Sequence, residues 1–190
     1  MSYLFTAKKQ SVFKERYGFQ YPTDLADFFG RHGSGCFLDE FHLLSPAEWM
    51  ADETCPPCLV KGIHILQLDR EDLDAVDGKE MSLLNEDNEL IAESADNLLE
   101  REFLFLGSSS DGDVLFFMMP DGQKPEHLVL FDRVRLAVVL SPPNLDRWLM
   151  RLGKRIGIEL DSDKPILTAE RYQHLTKEMA WGAFGRKGHT

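Results

Sequence analysis

Long apolar runs are missing from this 190-residue sequence. None reaches the roughly 20 residues that a helix needs to cross the hydrocarbon core of a bilayer, and the opening MSYLFTAKKQ has no signal-type apolar segment. Both absences lead us to expect a cytoplasmic protein with no membrane partner. Cysteine is scarce: three residues cannot all pair with one another. Cys55-Pro-Pro-Cys58 has redox or half-zinc spacing. A zinc site needs a second ligand pair, and a thioredoxin-type site needs a strand before it and a helix after it, so reduced cysteines beside a proline turn are the expectation. No Gly-x-Ser-x-Gly elbow and no His-Glu-x-x-His pair occurs. The six histidines are scattered, with His32 at a helix end, His42, His64 and His127 in or beside strands, and His174 and His189 in the tail.

What is present begins with charge. The net charge is −11, and from Asp69 to Glu102 there are 13 acidic residues against Arg70, Lys79 and Arg101. Residues 147–190 have a positive balance. An acidic block repels phosphates and so argues against a nucleic-acid partner; it suits attraction of a basic protein, or simply a solvated face or mobile loop. The length fits one domain with a real core.

Two apolar runs, Phe103–Leu106 and Val114–Met119, flank a polar turn of seven residues, Gly107 to Asp113. They read as strands covered on both faces at the centre of a sheet, with Asp111-Gly112 as the turn pair. Val12–Phe19 is too mixed to assign. Over Tyr21–Phe29 a capping residue, first-turn acids and Leu25, Phe28 and Phe29 at i, i+3 and i+4 predict a helix that stops at Gly33. Cys36–Leu38 and Phe41–Leu44 form a small hairpin. Ser45-Pro46-Ala47-Glu48 is a capping box that starts a helix with Trp49 and Met50 on its buried side. His64, Leu66 and Leu68 suggest a strand, and Ile91, Ala95, Leu98 and Leu99 have helical spacing. His127–Asp132 and Val134–Leu140 are two further strands, the second with Arg133 and Arg135 on a wet face. Ser141-Pro142-Pro143-Asn144 starts a helix with Leu145, Trp148, Leu149 and Leu152 spaced along one face and stopped by Gly153, and Thr168–Trp181 is one more helix.

The Tyr-Pro-x-Asp-Leu-x-x-Phe-Phe helix from Tyr21, the strand pair, the Ser-capped helix, the Phe-Leu-Phe-Leu-Gly-Ser-x-x-Asp-Gly-Asp hairpin and the Leu-x-x-Trp-Leu helix together resemble the SUKH superfamily, from about Tyr21 to Leu152. Gly107, Asp111, Gly112 and Asp113 are the most specific residues of the match. The resemblance implies an α+β fold, helices on a mainly antiparallel sheet, in a domain of residues 1–152 with an acidic insertion around 69–102. Residues 153–190 would form a helical extension packed on it.

For function the resemblance implies a non-catalytic protein-binding module without a cofactor. Bacterial members of the superfamily look mostly like immunity proteins that neutralise a toxin domain; eukaryotic relatives look like regulators of cell-wall synthesis. Many such toxins are nucleases with cationic clefts, which an acidic surface would attract. The candidate partner-binding residues are Glu71, Asp72, Asp74, Asp77, Glu86, Asp87 and Glu89 in the acidic stretch, with Asp111 and Asp113 at the hairpin tip. A regulatory or scaffold protein is the first alternative; there, or with a toxin, Trp181 and Phe184 are possible anchors. The second is an enzyme in which Asp111 and Asp113 ligate Mg²⁺ or Ca²⁺ and residues 107–110 cradle a phosphate. That turn lacks the terminal Glu of a calcium loop and the Lys-Ser/Thr end of a phosphate loop.

Overall fold

The computed structural model of the chain describes residues 3–38, 40–51, 59–62, 81–121, 126–132, 135–158 and 167. The fold is α+β, and the chain divides into two compact units: Met1–Pro57 with Asn144–His174, and Cys58–Pro143 with Leu175–Thr190.

The first unit holds four α-helices and one hairpin of the described residues. Helix α1 (Ala7–Tyr17) covers most of the stretch that sequence pattern left unassigned. Its pattern is faint because only Phe13 is buried; that ring meets Phe5 and Tyr21 edge-on at 5.7 and 5.3 Å. Helix α2 (Thr23–His32) buries Leu25, Phe28 and Phe29, as their spacing predicts. The expected side-chain cap is not made: Pro22 holds the N-cap position, and its carbonyl accepts the Ala26 N–H at 2.8 Å. After α2, Gly33 has φ 68, and a Cβ there would lie 3.1 Å from the Tyr3 backbone, so glycine is required.

Strands β1 (Gly35–Phe37) and β2 (Phe41–Leu43) form the expected antiparallel hairpin. Helix α3 (Pro46–Ala51) starts where the Ser-Pro pair places it. Ser45 Oγ accepts the Ala47 N–H at 3.2 Å, and the Ser45 N–H donates to the buried Ser34 Oγ at 2.9 Å. Trp49 is buried, but Met50 is only half-buried and Glu48 takes an inward position instead. Helix α4 (Leu145–Arg155) is capped by Asn144, whose side chain accepts the Arg147 N–H at 2.8 Å. Leu145, Trp148 and Leu149 face inward, with Trp148 edge-on to Phe41 at 5.1 Å. Gly153 does not stop this helix. It is buried within it, and the chain turns only near Gly157, at φ 79. The first residues of the expected extension are therefore the last turn of α4. An ion pair, Arg31 Nη2 to Asp146 Oδ2 at 2.7 Å, joins α2 to α4.

The second unit is a sheet of strands β3 (Leu59–Lys61), β4 (Ser82–Asn85), β5 (Leu90–Ala92), β6 (Glu102–Ser109), β7 (Val114–Met118), β8 (His127–Asp132) and β9 (Ala137–Ser141). Their order is β3-β6-β7-β8-β9-β4-β5, with only β4–β9 parallel. Burial at almost every position of β6, β7 and β8 marks strands covered on both faces, as their unbroken apolar runs predict. Phe116 meets Phe105 and Phe131 edge-on at 5.8 and 5.5 Å. Pairing of β6 with β7 slips at Leu106, between Phe105 and Gly107, and β6 runs on through Ser109. The polar turn is consequently four residues, 110–113, rather than seven.

Two other expectations are corrected. The spacing of Ile91, Ala95, Leu98 and Leu99 does not make a helix: Leu90–Ala92 is β5, and Asp96–Leu98 is a 3₁₀ turn that buries Leu98. Nine residues with helical spacing are too few to nucleate a helix by themselves, and β4 offers pairing that such a pattern does not reveal. Nor does β9 have a wet face. Ala137, Val138 and Val139 are buried in succession, while Arg135 stands in the turn before the strand. The expected strand at His64–Leu68, helix at Thr168–Trp181, and residues Cys55, Cys58, Arg133 and Val134 lie outside the described residues.

Candidate functional site

Of the candidate partner-binding residues, Glu71, Asp72, Asp74 and Asp77 lie outside the described residues. The others fall on two turns. Glu86, Asp87 and Glu89 occupy the β4–β5 turn, with Asp87 and Glu89 exposed and Glu86 half-buried. Asn85 organises that turn: its Oδ1 accepts the N–H groups of Asp87 and Glu89 at 3.0 and 2.9 Å, and its Nδ2 donates to Glu89 Oε2 at 2.8 Å. Asn88 takes a positive φ of 64 and receives Arg135 Nη1 on its Oδ1 at 2.8 Å. Arg135 also donates through Nε to Asp132 Oδ2 at 2.6 Å, so the cation that braces the acidic turn is already neutralised by another carboxylate.

Asp111 and Asp113 sit at the β6–β7 turn, the first exposed and the second half-buried. Gly112 has φ 93, as the Asp-Gly pair predicts. The turn is closed from the Ser109 side. Ser109 Oγ accepts the Asp113 N–H at 3.0 Å, the Ser109 N–H donates to the Asp113 carbonyl at 2.8 Å, and the Gly112 N–H donates to the Ser109 carbonyl at 3.3 Å. The amide of Ser109, one of those in the expected phosphate cradle of residues 107–110, is thus engaged within the turn.

Strand register does not merge the two turns into one patch. Asp113 precedes Val114, which shares a cross-strand row with Phe131, Val138 and Leu83. The acidic turn follows Asn85, in the row of Leu140, Val129 and Phe116. Three strand spacings of about 4.8 Å separate β7 from β4, so the turns form two distinct acidic points on one unit.

Sequence pattern missed two things. The first is the edge: Leu90, which no pattern singled out, and Ile91, given helical spacing above, are 59% and 52% exposed on β5, and only the sheet order reveals it. The second is a set of buried polar groups. His42 in β2 lies opposite Cys36 in β1, both buried, and neither His42 ring nitrogen has a hydrogen-bond partner among the described residues. A nucleophile–base pair requires such a bond. Desolvation lowers the His42 pKa to about 4, leaving a neutral ring at pH 7. Arg101 is 5% exposed, with Nη2 donating to the Met119 carbonyl at 2.8 Å. No group of three or more His, Cys, Asp or Glu side chains among the described residues is placed to hold a metal ion. No helix among them is long and apolar enough to cross a membrane.

Comparison with protein-family models, with curated proteins and with solved structures finds no match to this chain.

Proposed function

We propose that this chain is a SUKH-like protein-binding module, an immunity protein that binds and neutralises a basic toxin domain, of nuclease type in the reading that suits its charge best. The observation that carries the proposal is the acidic stretch. From Met81 to Glu100 the chain has six acidic residues and neither lysine nor arginine, and Asp87, Glu89, Glu93 and Asp96 are exposed. Fixed negative charge on a braced turn attracts a cationic cleft over a distance of about a Debye length and speeds encounter. The hairpin tip contributes Asp111 as a second acidic point. Binding of this kind needs charge and shape, and no reactive constellation.

The test is expression of the protein in cells that carry the toxin encoded beside its gene. Rescue together with a purified complex establishes immunity. A stable complex with some other cellular protein and no rescue replaces it with the regulatory or scaffold reading. The electrostatic component is read separately: Glu89→Lys with Glu93→Lys slows association with the toxin domain about tenfold at low salt and flattens its salt dependence. Unchanged kinetics would remove that component.

A further inference from the structure

We infer that β5 is the docking edge, and that it receives an extended, basic segment of the partner protein as an added strand. The inference rests on the protein-binding reading above and names the surface and the chemistry of what it takes.

Among the described strands, β5 pairs with β4 alone. Its outer side therefore offers backbone amides and carbonyls to a further strand. Natural edges are blunted by lysine or proline, by shortness or by a bulge; Leu90–Ala92 has no lysine or proline, but it is three residues long and its pairing with β4 shifts register at Ile91. It carries the two most exposed large apolar side chains of the described residues, Leu90 and Ile91. In strand addition the backbone supplies affinity, and side chains at alternate positions supply selectivity.

Charge decides the occupant. Asp87 and Glu89 precede the edge and Glu93 follows it. A second copy of the chain paired along β5 would bring these carboxylates against their own equivalents, an unfavourable juxtaposition. A segment that carries both basic and apolar residues complements the acidic flanks and offers apolar contact to the exposed pair. The edge is also braced beforehand: Asn85 ties down the turn that leads into it, and Arg135 holds Asn88. Little ordering remains to be done on binding.

The experiment uses the full chain and a synthetic peptide of about ten residues alternating Lys and Val, with a Glu/Val peptide of the same length as its counterpart. The Lys/Val peptide binds at least tenfold more tightly than the Glu/Val peptide, and binding slows hydrogen exchange at Leu90, Ile91 and Ala92. Ile91→Lys, a change at an exposed side chain, keeps the melting temperature and weakens the Lys/Val peptide at least tenfold. Leu90→Ser supplies the same comparison if that variant folds poorly. Equal binding of both peptides, no binding of either, or protection at another strand would overturn the inference; so would a dimer that Ile91→Lys dissolves, which would make the edge self-pairing. The two proposals fail separately. Full rescue from the toxin by Ile91→Lys would remove the docking edge and leave immunity standing, whereas edge binding without rescue by the wild-type chain would remove immunity and leave the edge.

Discussion

Cys36 and His42 stand directly opposite each other across the β1–β2 hairpin, both buried, with the imidazole nitrogens of His42 unbonded among the described residues. Burial without a partner costs least when the ring is neutral, and it lowers the pKa from 6.5 to about 4. The unfolded chain therefore binds a proton that the folded chain refuses between these values. Stability is fully present above about pH 6.5 and falls as pH drops toward 4, by about 3 kcal/mol in all. Between pH 7.5 and 5 the wild-type chain loses about 2 kcal/mol more than His42→Leu, which has no proton to bind. Urea denaturation of both proteins at the two pH values measures the difference.

The aromatic cluster of the central strands makes Phe116→Ala costly. Phe116 is fully buried and meets Phe103, Phe105 and Phe131 edge-on. Truncation loses the transfer free energy of the ring and leaves a cavity, about 3–5 kcal/mol in comparable cores. Chemical denaturation followed by far-UV circular dichroism reads the loss directly.

At the hairpin tip the backbone itself sets the residue. Gly112 has φ 93, where a Cβ crowds the neighbouring carbonyl, so Gly112→Ala destabilises by about 1–2 kcal/mol. Because Ser109 closes the turn, faster hydrogen exchange at the Asp113 amide should accompany that change.

Asp111 separates the binding reading from the metal-dependent enzyme. Its side chain is exposed, so Asp111→Asn changes stability by no more than about 0.5 kcal/mol. Titration with Mg²⁺ or Ca²⁺ leaves the melting temperature of the wild-type chain unchanged. A rise that Asp111→Asn abolishes would favour the enzyme.

Elements with a strong local signal were legible in advance. The Leu25, Phe28 and Phe29 face of α2, the Ser45-Pro46 start of α3, the start of α4 after Ser141-Pro142-Pro143-Asn144 and the apolar arms of β6 and β7 all occur where local pattern places them. Misreadings gathered where short-range pattern competes with distant neighbours. Ile91, Ala95 and Leu98 mimic a helix because a strand residue and a 3₁₀ turn happen to share that spacing. Gly153 looks like a stop but is buried inside α4, where a residue without a side chain permits close packing.

Composition and order by themselves determined that helices and strands are both present, that the acids concentrate in one stretch, and that the best-marked hairpin lies between Phe103 and Met119. Those properties follow from periodicity, turn chemistry and charge count, which are local. Tertiary structure alone decided that the acidic turn adjoins an edge strand of the described sheet with Leu90 and Ile91 exposed, that Arg135 braces it from another turn, and that His42 is buried without a hydrogen-bond partner among the described residues. Each depends on which strands become neighbours. The parallel pairing of β4 with β9, across more than 50 residues of chain, is set by burial of the whole sheet and is written in no single segment of it.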